Sequence, residues 1–398
     1  MTSDASMLTM LRAQLDTLKQ QQLWRRRWNA ETACAPHMRV EGHDLISFCS
    51  NDYLGLASDP RVMEALNVGV SLYGAGSGAS HLISGHSRAH EKLEAALAEF
   101  FEPNLISGRA LYLASGYMAN LAVITALADS STDIFSEALN HASLIDAARL
   151  SRAKVTIYPH RDVASLNAML SSSTAARKLI VTDGVFSMDG DIAPLNEIMR
   201  LCEIHDAWLI VDDAHGFGVM GKHGRGVVEQ FALCSERLIL VGTLSKAAGI
   251  AGAFIAAHET IIEWLIQRAR PYIYSTASPP ALAHALLTSL GIIASQEGAD
   301  RRALLNERIT QWKSSVNLQH WHVLESITPI QPVVIGDNAA TMTAAQSLRE
   351  DGFWVGSVRP PTVPVGTARL RVTFSSSHTH AQVAQLISLV NTLDAESV

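Results

Sequence analysis

Cysteine is scarce: there are four in 398 residues, Cys34, Cys49, Cys202 and Cys234, and none forms a CxxC pair. That spacing supplies neither a disulfide framework nor a zinc ligand set, and it suits a reducing compartment. No apolar run is long enough to span a bilayer; the longest, from Ala247 to Ala257, is rich in glycine and alanine and reads as tightly packed core. The N-terminus lacks the charged, apolar and small-residue succession of a secretory leader, so a cytoplasmic protein without membrane contact is expected. Basic excess is missing too: the formal net charge is −7 and the basic residues are scattered, which predicts no nucleic-acid partner.

Several catalytic signatures are also absent. The glycine-dense stretch Gly74, Gly76, Gly78 and Gly85 has no strand before it and the wrong spacing for a dinucleotide fingerprint. Lys246 lacks the glycine frame of a Walker A loop, and no serine sits in the GxSxG of a nucleophile elbow. His81, His86 and His90, like His320 and His322, lack a carboxylate or cysteine set at metal spacing, so they read as structural or exposed and no metal is expected.

What is present centres on the stretch from Ala207 to Ala253. Two apolar runs, Trp208 to Val211 and Leu238 to Val241, read as buried parallel strands, and each stops at a polar cluster. The first cluster is Asp212, Asp213 and His215; the second is Thr243, Ser245 and Lys246. In an open α/β sheet ligands bind beyond the carboxyl ends of the strands, so both clusters would face one crevice. The set suits pyridoxal 5′-phosphate. Lys246 can form a Schiff base with its aldehyde, Asp212 can hold its ring nitrogen protonated, and Thr243 and Ser245 can bond its phosphate. Ser115, Gly116 and Tyr117, at a strand-to-helix turn ahead of Asn120, offer a helix N-terminus as the seat for that anion.

VDDAHGFGVMG followed by GTLSKAAG resembles the α-oxoamine synthases, fold-type I pyridoxal-phosphate transferases that condense an amino acid with an acyl thioester and lose carbon dioxide. SNDYLGLASDP at Ser50, GAGSGASHLISG at Gly74, SGYMANLAV at Ser115, NHASLIDAARLS at Asn140, TDGVFSMDGDIAPL at Thr182, YSTASPP at Tyr274 and VRPPTVPVGTARLRVTFSSSH at Val358 extend the likeness, in family order, from about residue 45 nearly to the end. The resemblance implies an α/β fold with a mostly parallel central sheet in a large domain and a smaller α+β C-terminal domain. It places His141 against the cofactor ring, His215 at the phenolic oxygen or the substrate, and Ser187 among the hydrogen-bond donors. Thr276 would reach the phosphate of a second subunit's cofactor, which makes a homodimer the expected assembly. Arg369 and Arg371 flank Leu370 on a strand and are expected to point to opposite faces, so that only one faces the crevice; by resemblance it is Arg371, which would take the amino-acid carboxylate, and Asn51, Arg359 and Thr362 are further substrate candidates.

Among family members, VRPPTVPVGTARLR most resembles those that join L-alanine to a pimeloyl thioester carried on coenzyme A or a carrier protein. Glycine C-acetyltransferase, 5-aminolevulinate synthase and serine palmitoyltransferase share most of the same residues, and a non-catalytic partner subunit is the reading from another class, opposed by the presence of Lys246, Asp212 and His215. Two departures stand out. Asp183 occupies a position where relatives often carry Glu, and Ala248 one where they carry Phe, which predicts a roomier pocket beside the lysine.

Leu8, Leu11, Leu15 and Leu18 recur at helical steps, so an amphipathic helix is predicted from Met7 to about Arg27, ending in Arg25, Arg26 and Arg27. By resemblance one of these arginines meets the carboxylate of an acidic acyl chain. The segments expected are an N-terminal helix and short strand over 1–45, a large domain over 46–290 and the small domain over 291–398, entered through the charged run from Glu297 to Arg308.

Overall fold

The computed structural model describes residues 6–397, so the first five residues of the N-terminal segment lie outside it. In chain order the strands are β1 (His37–Val40), β2 (His43–Phe48), β3 (Gly108–Leu113), β4 (Thr132–Glu137), β5 (Lys154–Tyr158), β6 (Arg177–Asp183), β7 (Trp208–Asp212), β8 (Leu238–Thr243), β9 (Ala253–His258), β10 (His322–Val323), β11 (Ile330–Gly336), β12 (Phe353–Val358) and β13 (Ala368–Thr373). Seven of them form one sheet in the order β3-β9-β8-β7-β6-β4-β5, in which only β9 runs against its neighbours.

The two apolar runs of the central stretch lie side by side in that sheet as β7 and β8. Period-2 alternation sends Leu209 and Val211 into a core shared with Phe101, Phe135 and Phe254, while Ile210 enters a second core with Val123, Ile124 and Leu144. A strand apolar on both faces has nothing to show to water, and each such side chain adds about 1.5–3 kcal/mol when buried.

The second sheet has the order β1-β2-β12-β13-β11-β10, so the two N-terminal strands belong to the C-terminal unit. β2 runs parallel to β12 with Ile46 opposite Phe353, and the boundary expected between residues 45 and 46 therefore cuts through β2. The charged run from Glu297 to Arg308, expected to lead into the small domain, is helical. It lies inside the helix Gln296–Ser315, which Ser295 caps, and Arg302 within it is buried and donates to the carbonyls of Ile293 and Lys222.

The N-terminal helix is shorter than its leucine spacing suggests, running Met7–Gln20 rather than to Arg27. Gln22 turns with φ +58°, and Arg359 donates to the carbonyls of Gln22 and Trp24 that a longer helix would have used internally. The leucine stripe of this helix is exposed. Among the described residues no helix is long and apolar enough to cross a membrane.

Candidate active site

The central candidates lie at or beyond carboxyl ends of strands in the large sheet: Ser115 after β3, His141 after β4, Ser187 after β6, Asp212 at the end of β7, and Thr243 at the end of β8 with Lys246 in the loop that follows. Strand geometry separates the two adjacent aspartates. Asp212 continues the face of Ile210, where Asn120 donates to its Oδ2 at 2.6 Å and the Ala214 N–H to its Oδ1 at 3.0 Å. Asp213 points the other way and accepts the Val227 N–H at 2.9 Å; a Cβ on Gly226, whose φ is +79°, would fall 1.7 Å from the Asp213 carboxylate. Only Asp212 belongs to the crevice, and Asp213 organises the loop behind it.

Lys246 Nζ lies 2.8 Å from His215 Nε2, and His215 Nδ1 lies 2.6 Å from the Tyr53 hydroxyl. Asn51 Oδ1 accepts from that hydroxyl at 3.1 Å and from both terminal nitrogens of Arg371 at 3.2 Å, so one hydrogen-bonded chain links the lysine to the arginine. Burial lowers the Lys246 amine from 10.5 to about 8 against the opposing pull of Asp212. Burial, reinforced by the Lys246 charge, holds His215 well below the usual imidazole range, and burial pushes Tyr53 up to about 12. The crevice thus contains a lysine less basic than in water beside a neutral imidazole.

Ser115 caps the helix Gly116–Leu127 and accepts the Met118 N–H at 3.3 Å. A Cβ added to Gly116 would lie 3.6 Å from Thr243 Cβ, so this helix start and the end of β8 form a single corner, where Thr243 Oγ1 and Ser245 Oγ are 2.8 Å apart. Free N–H groups and the helix dipole make that corner a seat for an anion. Tyr117 is exposed and its hydroxyl donates to Asp146. Thr276 is exposed on a segment bridged to Ser80 and takes part in none of the corner's hydrogen bonds. His141 caps the helix Ala142–Leu150; its Nδ1 lies 2.7 Å from Ser143 Oγ, its N–H donates to Asp183, and its ring is open to solvent.

Arg369 and Arg371, two apart on β13, share a face of the strand and are both buried, contrary to the expectation that they point to opposite faces. Their partners distinguish them. Arg369 donates to Asp189 at 2.8 Å, whereas Arg371 donates to the Ser187 carbonyl at 2.6 Å and to Asn51. Of the N-terminal arginines, Arg26 pairs with Glu41 at 2.5 Å and covers the Trp28 ring. Arg25 and Arg27 are exposed and make no side-chain hydrogen bond among the described residues, and Arg25 is near enough to Arg359 to help burial lower that guanidinium. Thr362 lies in the turn after Arg359, with its N–H on the Arg359 carbonyl.

Two site residues escaped the sequence reading. Tyr53 stood within SNDYLGLASDP with no role assigned to it, and Asn120 is fully buried in a helix of mostly apolar side chains, which is the signal that would have marked it. The three histidines His81, His86 and His90 do meet, with a ligand atom from each inside 4.8 Å. However, His90 accepts the Ser87 N–H at Nδ1 and meets the Ser278 carbonyl with Nε2, so it has no lone pair left for a metal. Ala248 is 1% exposed and packed in the core, with its carbonyl bonded by Ser289, so the missing ring opens no space beside Lys246.

Residues 43–390 match the aminotransferase class I and II family. The chain is 60% identical over 386 residues to an 8-amino-7-oxononanoate synthase of Janthinobacterium sp. (strain Marseille), covering 97% of this chain and 98% of the relative. It is 58% identical over 391 residues to the Bordetella petrii protein of the same name, covering 98% and 99%. Among solved structures, a lysine-to-alanine variant of serine palmitoyltransferase from S. paucimobilis with a bound PLP–myriocin aldimine matches at TM-score 0.91 and 28% identity over 99% of each chain. An 8-amino-7-oxononanoate synthase of Francisella tularensis matches at TM-score 0.76 and 32% identity, over 89% of this chain and 99% of that one.

Proposed function

Since the chain belongs to the class I and II aminotransferase family and, within it, to the 8-amino-7-oxononanoate synthases, we propose that it joins L-alanine to a pimeloyl thioester. The products are 8-amino-7-oxononanoate, carbon dioxide and the free thiol, a step of biotin synthesis. The observation that carries the reading is the convergence of Lys246, His215 and Asp212 beyond two adjacent strand ends, beside an anion corner and a buried arginine.

The donor set fits pyridoxal phosphate: an amine of lowered basicity, a carboxylate fixed by Asn120, an open imidazole face at His141, and a helix start flanked by Thr243 and Ser245. When bound, the cofactor supplies an electron sink for the bonds that break at the alanine Cα. Lys246 would hold it and, once displaced, take and return the Cα proton, which an amine titrating near 8 can do at neutral pH. Asp212 would face its ring nitrogen, with Asn120 and the Ala214 N–H preventing rotation of the carboxylate. Ser115, Gly116, Tyr117, Thr243 and Ser245 would surround its phosphate, and Ser187 would add a donor near the ring. His215, oriented by Tyr53, would hydrogen-bond the phenolic oxygen or the substrate. Arg371 and Asn51 would fix the alanine carboxylate, the planar guanidinium suiting bidentate capture. Arg359, Thr362 and an exposed arginine, Arg25 or Arg27, would meet the acidic end of the acyl chain, brought on coenzyme A or a carrier protein.

The visible absorption of the cofactor-loaded protein, titrated with L-alanine, glycine and L-serine, tests the reading. Alanine is expected to shift the band at the lowest concentration, and pimeloyl thioester then to release thiol and carbon dioxide. A preference for glycine with an acetyl thioester would move the protein to glycine C-acetyltransferase chemistry, and a protein that takes up no cofactor would sink the proposal.

The working unit in this reading is a homodimer. The exposed leucine stripe of the helix Met7–Gln20 and the exposed Tyr274 and Thr276 support it. Sedimentation across a dilution series is expected to show cofactor loss in step with dimer dissociation; a monomer that keeps its cofactor would overturn this.

A further inference from the structure

We infer that His160 is a positioning residue, a cationic clasp that joins the turn leading to His141 with the turn carrying Ser187, so that the geometry of both turns depends on its charge. The inference rests on the reaction proposed above. His160 follows β5, and its Nδ1 lies 2.7 Å from Glu137 Oε1 at the end of β4 while its Nε2 lies 2.8 Å from Asp191 Oδ2. An ionised carboxylate has no hydrogen to donate, so a ring bonded to one at each nitrogen must donate from both and is an imidazolium.

Each carboxylate governs one turn. The Glu137 side chain is 1% exposed and also accepts the N–H groups of Leu139 and Arg161, which fixes the path through Leu139 and Asn140 into His141. Asp191 closes the other turn: its carbonyl accepts the Phe186 N–H at 3.0 Å, and the Phe186 ring meets His160 edge-on at 4.6 Å. Within that turn the Ser187 carbonyl receives Arg371, Asp189 receives Arg369, and the Gly190 carbonyl receives the hydroxyls of Ser326 and Thr328 from the C-terminal unit. The clasp therefore braces the place where the cofactor-face histidine, the candidate carboxylate-binding arginine and the second sheet's loop come together.

Of the groups facing His160, the two carboxylates favour the cation and outnumber the one neighbouring guanidinium. Glu137 comes from β4, Asp191 from the Ser187 turn, and Arg161 beside His160 also reaches Asp191 at 3.2 Å. Tyr158 on β5 is kept a neutral phenol by burial, and Asp183 on β6 is pushed toward its neutral form by burial and by Asp212. Burial opposes the charge on His160, but the hydrogen bonds to Asp191 and Glu137 outweigh it and carry the ring up to about 9. Because the folded value lies above the ordinary 6.5, the contribution is complete below pH 6.5 and disappears as pH rises through about 9.

The test compares the cofactor-loaded wild type with His160→Gln between pH 6 and 10. It reads kcat/KM for L-alanine and the circular dichroism of the cofactor band, the latter without acyl thioester. At pH 7 the variant is expected to be about tenfold lower in kcat/KM, mainly through KM, with a weaker dichroic band. As pH passes 9 the wild type should converge on the variant, since both then lack the cation. Titration of Lys246 occurs in both proteins and cancels in the ratio. If His160→Gln does not fold, Asp191→Asn, which removes one anionic acceptor, should move the wild-type alkaline limb to lower pH. A wild-type to variant ratio that stays constant across the range, or equals one at pH 7, would overturn the inference. Should the wild type fail to use alanine at all, the reaction assignment falls, while the dichroic comparison still decides the clasp.

Discussion

Lys246→Ala is expected to abolish turnover, with a loss of about 10,000-fold or more, because in the proposed mechanism one amine would both hold the cofactor and move the substrate proton. Borohydride treatment should leave the cofactor covalently on Lys246 in the wild type, found by peptide mass spectrometry, and leave none on the variant. Appearance of the label on another lysine would remove Lys246 from its role. The lowered basicity has its own signature. In the cofactor-free wild type, uptake of the aldehyde needs the neutral amine, so its rate should climb as pH passes about 8 instead of 10.5. A rate that climbs only toward 10.5 would show that burial does not act on the amine in this way.

Asp212→Asn is expected to lower kcat about 1,000-fold while the cofactor still binds, since the change keeps the shape and removes the charge that, in the proposed mechanism, would face the ring nitrogen. Asn120 and the Ala214 N–H hold the group in place, so displacement is not the anticipated cause. The neighbouring Asp213→Asn is the control. It lies on the opposite strand face, bonded to the Val227 N–H, and should lower Tm while leaving the cofactor spectrum and the pH profile as in the wild type. Equal loss of kcat in both variants would show that strand alternation does not separate the two carboxylates.

The long elements were legible because burial follows periodicity. Trp208 to Val211 and Leu238 to Val241 lack polar residues over a strand's length, and the structure only extends them, to Asp212 and Thr243. Prediction failed where the deciding group is distant in sequence. Leucine spacing carried the first helix to Arg27, but Arg359 binds the carbonyls at Gln22 and Trp24.

Local sequence determined which groups stand at the strand ends, because apolar runs that stop at Asp212 and Thr243 put an acid, an imidazole and an amine at one pole of any parallel sheet. Tertiary structure alone decided how those groups are tuned. Burial sets the basicity of Lys246, strand register selects Asp212 over Asp213, and a hydrogen-bonded chain running from Arg371 through Asn51 and Tyr53 reaches His215 from far along the sequence. The physical reason is range: periodicity records which face a side chain turns to the core, whereas solvation and hydrogen-bond partners depend on which other segments the fold brings there.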